Sequence, residues 1–263
     1  MVEGRRELLR CVEAGYVVET IFFCPELVAD GLIPRIAAGA VVAVSPAVYG
    51  RIAYRGGTEG IVAIVKARQL RLEGIRNEKV GIRVSPTSSP NPLIVVVEGV
   101  EKPGNLGAVL RSADAAGADA VIVCDPLTDL YNPNLIRSSI GAVFTVPTVV
   151  CSSEECIAWL KGSGIRILTA QLQDSSLYYE SEMTGPTAIV MGTEATGLSN
   201  VWREAADAHI RIPMLGRLDS LNVSVSAAIL LFEAVRQRSY DLRANGCANY
   251  ESCPDMEPCA GLC

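Results

Sequence analysis

Three short stretches of this 263-residue chain carry side chains suited to chemistry. In the first, the apolar run 93–97 leads through Glu101, Lys102 and Pro103 to Asn105, Gly107 and Arg111. Strand, glycine-bearing turn, helix and second strand outline a dinucleotide-binding unit, which raises a nicotinamide enzyme. The glycines count against it, because Gly104 and Gly107 give GxxG and the full GxGxxG is absent. Arg111 by itself reads equally well as a surface partner of Asp114 at i+3. The second stretch is Gly192-Thr193-Glu194 with Gly197 after it, behind another apolar run. Glycines there let a ligand approach the backbone closely, the alternative being a plain turn from strand to helix. The third runs from Ile212-Pro213-Met214 through Gly216 to Ser220-Leu221-Asn222, just before a very apolar helix. Ser220 or Asn222 suits a helix N-cap, and the free N–H groups of that terminus also suit a carboxylate or phosphate. Glu233 and Arg236 stand at i,i+3 on its polar stripe, a spacing that reads as structural.

Other chemistries lack their parts. His209 is the single histidine, which leaves no Ser-His-Asp triad and no zinc site of the usual composition. It reads as a strand residue ahead of Ile210. No P-loop or kinase motif set is present.

The elements that must position the three stretches alternate. Continuous apolar runs at Leu93–Val97, Ala120–Cys124, Ile165–Ala170 and Ala188–Met191 read as buried strands. Helical patterns fall at Asn105–Ala116, Cys156–Lys161 and Leu221–Arg238. Such alternation predicts an α/β fold with a parallel sheet covered on both faces. Ahead of it lies a smaller α/β piece, with helices over Glu3–Ala14 and Glu26–Ala38 and strands over Tyr16–Phe23 and Ile61–Val65. The stretch VSPTSSPNP, residues 84–92, rich in Pro and Ser, joins the two as a linker. The expected organisation is therefore a domain over 1–75, a linker over 76–92, a second domain over 93–245 and a tail over 246–263.

Charge divides along the same line. Residues 1–84 hold 12 basic and 9 acidic side chains, residues 85–263 hold 11 and 20, and the chain carries a net charge of −6. That balance excludes a protein that grips nucleic acid by bulk charge. The arginines of the first piece, among them Arg5, Arg6, Arg10, Arg51, Arg55, Arg68 and Arg71, fit an RNA-facing patch or an ordinary solvated surface, and charge alone favours the latter. With 49% hydrophobic and 20% charged residues the chain is globular. No apolar run approaches the roughly 18 residues of a membrane helix, and MVEGRRELLR offers no signal-peptide core, so a cytoplasmic protein without membrane contact is expected. Of nine cysteines, Cys11, Cys24, Cys124, Cys151 and Cys156 read as small core residues. Cys247, Cys253, Cys259 and Cys263 crowd the tail without a CxxC pair or a nearby histidine, and no metal is expected.

Taken in order, the three stretches resemble the SpoU family of RNA ribose 2′-O-methyltransferases, in the SPOUT superfamily. The family's first motif, NxGxxxR, matches Asn105, Gly107 and Arg111. Its second matches Gly192, Glu194, Gly197 and Ser199, and its third matches Ile212-Pro213-Met214, Gly216 and Ser220–Ser224. The opening VEGRREL resembles the start of the small ribosomal-protein-like domain that such enzymes often carry. The resemblance covers the chain to about residue 240 and implies the rest of this paragraph. The C-terminal domain is a SPOUT α/β fold with a deep trefoil knot, preceded by a small α/β RNA-binding domain. S-adenosylmethionine is the methyl donor, held by the backbone around Gly192, Ile212 and Leu221, with Thr193 and Met214. Asn105, Arg111, Glu194, Ser220 and Asn222 are the catalytic polar positions, Arg111 being the family's proton acceptor. Arg5, Arg6, Arg51 and Arg55 contact RNA, and the enzyme is a homodimer. VEGRREL and LLFEAVRQR look closest to the branch that modifies a guanosine in large-subunit ribosomal RNA. The alternatives are a transfer-RNA guanosine 2′-O-methyltransferase and a non-catalytic RNA-binding module.

Overall fold

The computed structural model describes residues 1–28, 36–54, 59–76, 91–193, 196–217 and 219–244. The tail with its four cysteines and most of the expected linker lie outside the described residues, as do Arg55 and Glu194.

The first unit is a four-stranded sheet with two helices. Its elements are β1 (Val2–Glu3), α1 (Arg5–Glu13), β2 (Val18–Phe23), β3 (Ala38–Ala43), α2 (Pro46–Ile52) and β4 (Ile61–Val65), and its strand order is β1-β4-β2-β3. β4 runs antiparallel to β1 and β2, while β3 lies parallel to β2 along its outer edge. The helix expected over Glu26–Ala38 is corrected where its residues are described. Glu26 and Leu27 form a turn after β2, and Ala38 opens β3. At Ala38, the last residue of the expected helix, ladder pairing to β2 prevails, and the strand that follows, with Val41-Val42, was not expected. The sequence reading also missed α2, although Ser45 caps it by accepting from the Val48 N–H at 3.4 Å and Pro46 occupies its first turn.

The second unit carries a seven-stranded sheet in which every pairing is parallel. In chain order it comprises β5 (Leu93–Glu98), α3 (Pro103–Ala115), β6 (Ala120–Cys124), α4 (Pro133–Ser138), α5 (Ala142–Thr145), β7 (Thr148–Cys151), α6 (Ser153–Gly162), β8 (Arg166–Ala170), β9 (Ser176–Leu177), β10 (Thr187–Met191), α7 (Asn200–Ala205), β11 (Ala208–Arg211) and α8 (Val223–Ala244). The strand order is β7-β6-β5-β10-β8-β11-β9. Leu93, Val95 and Val97 of β5 face one core with Leu106 and Leu110 of α3 and Leu230 of α8. Ile94 and Val96 face the other with Leu160 of α6 and Trp202 of α7. Both faces are covered, which is why the strands read as unbroken apolar runs. His209 lies in β11 and shares a 2.6 Å hydrogen bond with Thr169.

Two arginines of the first unit build its joint with the second, Arg10 directly and Arg68 by bracing Tyr16 and through its backbone. Arg10 donates to the Ile140 carbonyl at 2.6 Å. Arg68 donates to the carbonyls of Ala14 and Gly15, and its guanidinium lies 4.3 Å from the centre of the Tyr16 ring. Tyr16 meets Phe144 of α5 edge-on at 5.1 Å, and Tyr131 donates to the Arg68 carbonyl at 2.6 Å. These two arginines therefore belong to a packed joint and not to a solvated basic face. Leu70 bridges to Val149 on β7, and Leu72 is buried against the larger sheet.

α8 is tied at its far end by Arg238, whose guanidinium donates to the carbonyls of Asn91, Met183 and Gly185 at 2.7, 2.9 and 2.9 Å. The start of the second unit, the approach to β10 and the final helix are thereby held at one point.

Candidate active site

The loops that leave β8, β10 and β11 enclose a cleft of about 360 Å³. It opens beyond the C-terminal ends of these strands, where parallel α/β sheets bind ligands. Gly192, Thr193, Ile212, Met214 and Leu221, the five expected donor-binding positions, all line it, together with Ser220. The second and third motifs, separated by α7 and β11 in the chain, meet there because β10 and β11 flank β8 in the sheet.

The second motif forms a tight loop. Thr193 and Gly197 exchange backbone hydrogen bonds at 3.2 and 3.1 Å, and Gly197 has a positive φ of 68°. A Cβ on Gly192 would stand 2.3 Å from the Gly197 carbonyl, so no side chain fits there. Glu98, at the end of β5, accepts from the Ser199 N–H at 2.9 Å and so fastens the loop to the central strand. Ser153 continues the support, donating to Asp125 at 2.6 Å and accepting from the Trp202 indole at 2.9 Å. Neither Glu98 nor Ser153 was legible as a support, because their partners lie 101 and 28 to 49 positions away in the chain.

The first motif lies beside the cleft. Asn222 starts α8 as a cap, its Oδ1 accepting from the Ser224 N–H at 3.0 Å and from the Ser224 hydroxyl at 2.6 Å. Its Nδ2 is thereby left to donate to Asn105 Oδ1 at 3.2 Å. Both neighbours of Asn222, Leu221 and Val223, line the cleft. Gly107 explains the middle of the motif: a Cβ there would stand 2.0 Å from Ser138 Oγ, so the glycine is what lets α3 approach α4. Arg111 is exposed, lies outside the cleft lining, and has no hydrogen bond or ion pair among the described residues. The surface pair with Asp114 does not form, and Asp114 instead accepts from Thr145 at 3.4 Å. Glu194 is outside the described residues.

Two further cleft residues were missed. Arg203 of α7 and Gln171, just past β8, both line it. Arg203 Nε and Gln171 Oε1 are buried without a hydrogen-bond partner among the described residues. An unsatisfied donor or acceptor of this kind costs about 1–3 kcal/mol, so this pair marks a place built for a polar ligand. Only their meeting in space carries that signal.

Of the expected RNA contacts, Arg5 and Arg6 are exposed on the first turn of α1 and Arg51 is exposed on the last turn of α2. Arg6 pairs with Glu7 at 3.2 Å.

Residues 92–232 match the SpoU rRNA Methylase family, and residues 1–63 match the MRM3-like substrate binding domain. The chain belongs to the SpoU rRNA methylase family. Among relatives, the 23S rRNA (guanosine-2′-O-)-methyltransferase RlmB of Pseudomonas syringae pv. tomato is 38% identical over 182 residues, which is 69% of this chain and 71% of that protein. A solved RNA 2′-O ribose methyltransferase is 39% identical, with a TM-score of 0.72 over 90% of this chain and 88% of that one. The SpoU methyltransferase AviRb from Streptomyces viridochromogenes, in complex with AdoMet, gives 29% identity and a TM-score of 0.80, covering 90% and 89%. The expected family and the α/β fold with its parallel sheet are thus borne out. Among the described residues no helix is long and apolar enough to cross a membrane.

Proposed function

We propose that this protein transfers the methyl group of S-adenosylmethionine to the 2′-hydroxyl of a guanosine in large-subunit ribosomal RNA. The observation that carries the reading is the convergence of the second and third motifs on one cleft, with the first tied to its rim through Asn105 and Asn222. The names of the relatives support the RNA class, and the AdoMet-bound neighbour supports the donor.

The cleft fits the donor on its own chemistry. Unpartnered Arg203 Nε and Gln171 Oε1 offer one donor and one acceptor to the polar groups of an amino-acid moiety. Backbone around Gly192, Ile212 and Leu221 lies open to the rest of such a molecule. When bound, S-adenosylmethionine supplies a methyl on a sulfonium, an electrophile already activated. The protein's task is then to align a weak oxygen nucleophile and to favour loss of its proton. Alignment alone is worth up to roughly 7–11 kcal/mol in ideal cases. Arg111, exposed on α3 two turns beyond Asn105 and without a partner among the described residues, is available to a nucleic-acid backbone. A guanidinium keeps its charge across the physiological range. Stabilising the developing alkoxide and the adjacent phosphate is therefore the role assigned to Arg111 here. Asn105 and Asn222 fix the rim against which the ribose would sit, and Ser220 faces the cleft from the same loop as Asn222.

The division of labour follows the two units: residues 1–75 bind RNA through Arg5, Arg51 and their neighbours, and residues 93–245 hold the donor. A homodimer is part of the proposal. Val225 and Phe232, at i,i+7 on α8, are 47% and 49% exposed, an apolar stripe suited to a second copy. The knotted path of the C-terminal segment and a cytoplasmic setting complete the reading.

The test is methyl transfer from labelled donor to unmodified ribosomal and transfer RNA in separate reactions. Label confined to large-subunit ribosomal RNA supports the proposal. Label confined to transfer RNA assigns the alternative substrate, and donor binding without transfer to either supports the non-catalytic module.

A further inference from the structure

Cys124, Cys151 and Cys156 form a cluster that takes no part in the cleft. Cys124 ends β6 and Cys151 ends β7, and the two are register partners in the parallel ladder, so their side chains leave the sheet on the same face. Cys156 reaches the same point from the second turn of α6. All three sulfur atoms lie within 4.8 Å of one another. The cluster sits at the β7 edge, on β7 and β6, with β5 between it and β10.

Small apolar packing does not account for the arrangement. Core packing needs only small apolar side chains, whereas here three thiols from three elements converge on one point. Three sulfurs around a thiophilic ion at about 2.3 Å would stand about 4 Å apart, so the triangle needs little adjustment. Cys151 is half-buried, which leaves a path for an ion and an open side for a water ligand. Ser152 caps α6 immediately after it, so the positive end of the helix faces the thiolates that binding requires.

We propose that Cys124, Cys151 and Cys156 form a three-thiolate site for a soft d10 cation, Zn²⁺ or Cu⁺. Three thiolates alone satisfy trigonal Cu⁺, and Zn²⁺ completes its tetrahedron with solvent at Cys151. Each thiol that coordinates gives up its proton to solvent, so uptake is accompanied by acid release. The spacing hid the site: 26 residues separate Cys124 from Cys151, and no CxxC pair is present.

The experiment uses the full chain with Cys247→Ser, Cys253→Ser, Cys259→Ser and Cys263→Ser, which removes the tail thiols. The protein is reduced, freed of metal and titrated anaerobically with Zn²⁺ or with Cu⁺ against a chromophoric chelator. One equivalent per chain of one of these ions is expected, with Cys151 then protected from alkylation; which ion competes better decides between the two. A further Cys151→Ser replacement, at the most accessible of the three, is expected to abolish uptake. Absence of uptake by the protein with its cluster intact would overturn the proposal. So would uptake unchanged by Cys151→Ser, or a mass two hydrogens lighter under reduction-free purification with the pair unreactive, which would make Cys124 and Cys151 a disulfide.

Discussion

Asn222 Nδ2 lies 3.2 Å from Asn105 Oδ1, a hydrogen bond that joins the third motif to the first across 117 positions of chain. The same Asn222 caps α8 through its Oδ1, so one side chain sets both the start of the helix and the position of the rim. The two roles are separable. Asn222→Asp keeps an oxygen for the Ser224 N–H but sets a carboxylate against Asn105 Oδ1. Thermal stability is expected to fall by under about 1 kcal/mol, since the cap survives, while methyl transfer falls steeply. Asn222→Ala is expected to lose both. Methyl transfer left intact in Asn222→Asp would show that the tie to Asn105 has no role of its own.

Arg111 stands apart from the cleft and has no partner among the described residues, so its replacement should leave the fold and the donor site alone. Arg111→Lys keeps a positive charge and loses the planar fork. Turnover on RNA is expected to drop by about 100-fold, the effect of losing one well-placed transition-state donor, with donor affinity unchanged by calorimetry. Near-normal turnover would remove Arg111 from the mechanism.

Two motif glycines fail in different ways when given a methyl group. Gly192→Ala drives a Cβ to 2.3 Å from the Gly197 carbonyl, inside the cleft wall. Loss of donor binding in a folded protein is expected. Gly107→Ala drives a Cβ to 2.0 Å from Ser138 Oγ, between α3 and α4. There the expected loss is in folding stability, by about 1–3 kcal/mol for an overpacked core. Thermal melts with and without S-adenosylmethionine distinguish the two.

Glu233 accepts from Arg236 at 2.8 and 2.7 Å and from Gln237 at 2.8 Å. The Arg236 guanidinium holds its carboxyl below the ordinary value of 4.5. A depressed carboxylate pKa stabilises the fold above the unfolded value, and that stability is lost as pH falls through the folded one. Glu233→Gln is expected to destabilise the protein by at most about 1 kcal/mol at neutral pH, since the pair is part-exposed and screened, with the gap closing as the pH falls below 4.5. Chemical denaturation at neutral and acid pH checks the sign.

The joint between the units decides how RNA binding should be tested. Removing residues 1–75 would strip Tyr16 and Arg68 from Phe144 and Tyr131, exposing the core of the second unit. Charge reversal avoids this, because Arg5 and Arg51 are exposed. Arg5→Glu with Arg51→Glu is expected to weaken RNA binding and to lower its salt dependence by about one unit for each phosphate that is no longer neutralised. Donor affinity should not change, and an unaltered RNA affinity would relocate the RNA surface.

The second unit was legible where burial on both faces left unbroken apolar strands, as at Leu93–Glu98 and Thr187–Met191. β7 escaped because four residues, two of them polar or sulfur-bearing, show no run. In the first unit the helix expected over Glu26–Ala38 stops where the edge strand β3 starts, and β3 itself, small and exposed, gave no apolar run to read. The motif residues of the cleft were legible as types in order. Their supports were not: Glu98 acts only because β5 ends beside Ser199, and Arg203 only because α7 turns it toward the cleft. The three thiols share that limit, since sheet register alone sets Cys124 opposite Cys151.

The most direct measurement is alkaline hydrolysis of RNA methylated by this protein with S-adenosylmethionine labelled in its methyl group. A 2′-O-methyl group blocks cleavage at its own nucleotide. Label is expected in an alkali-resistant dinucleotide that begins with guanosine and derives from large-subunit ribosomal RNA. Label in mononucleotides would mean methylation of a base, and would contradict the assignment of Arg111, Asn105 and Asn222 to a ribose hydroxyl.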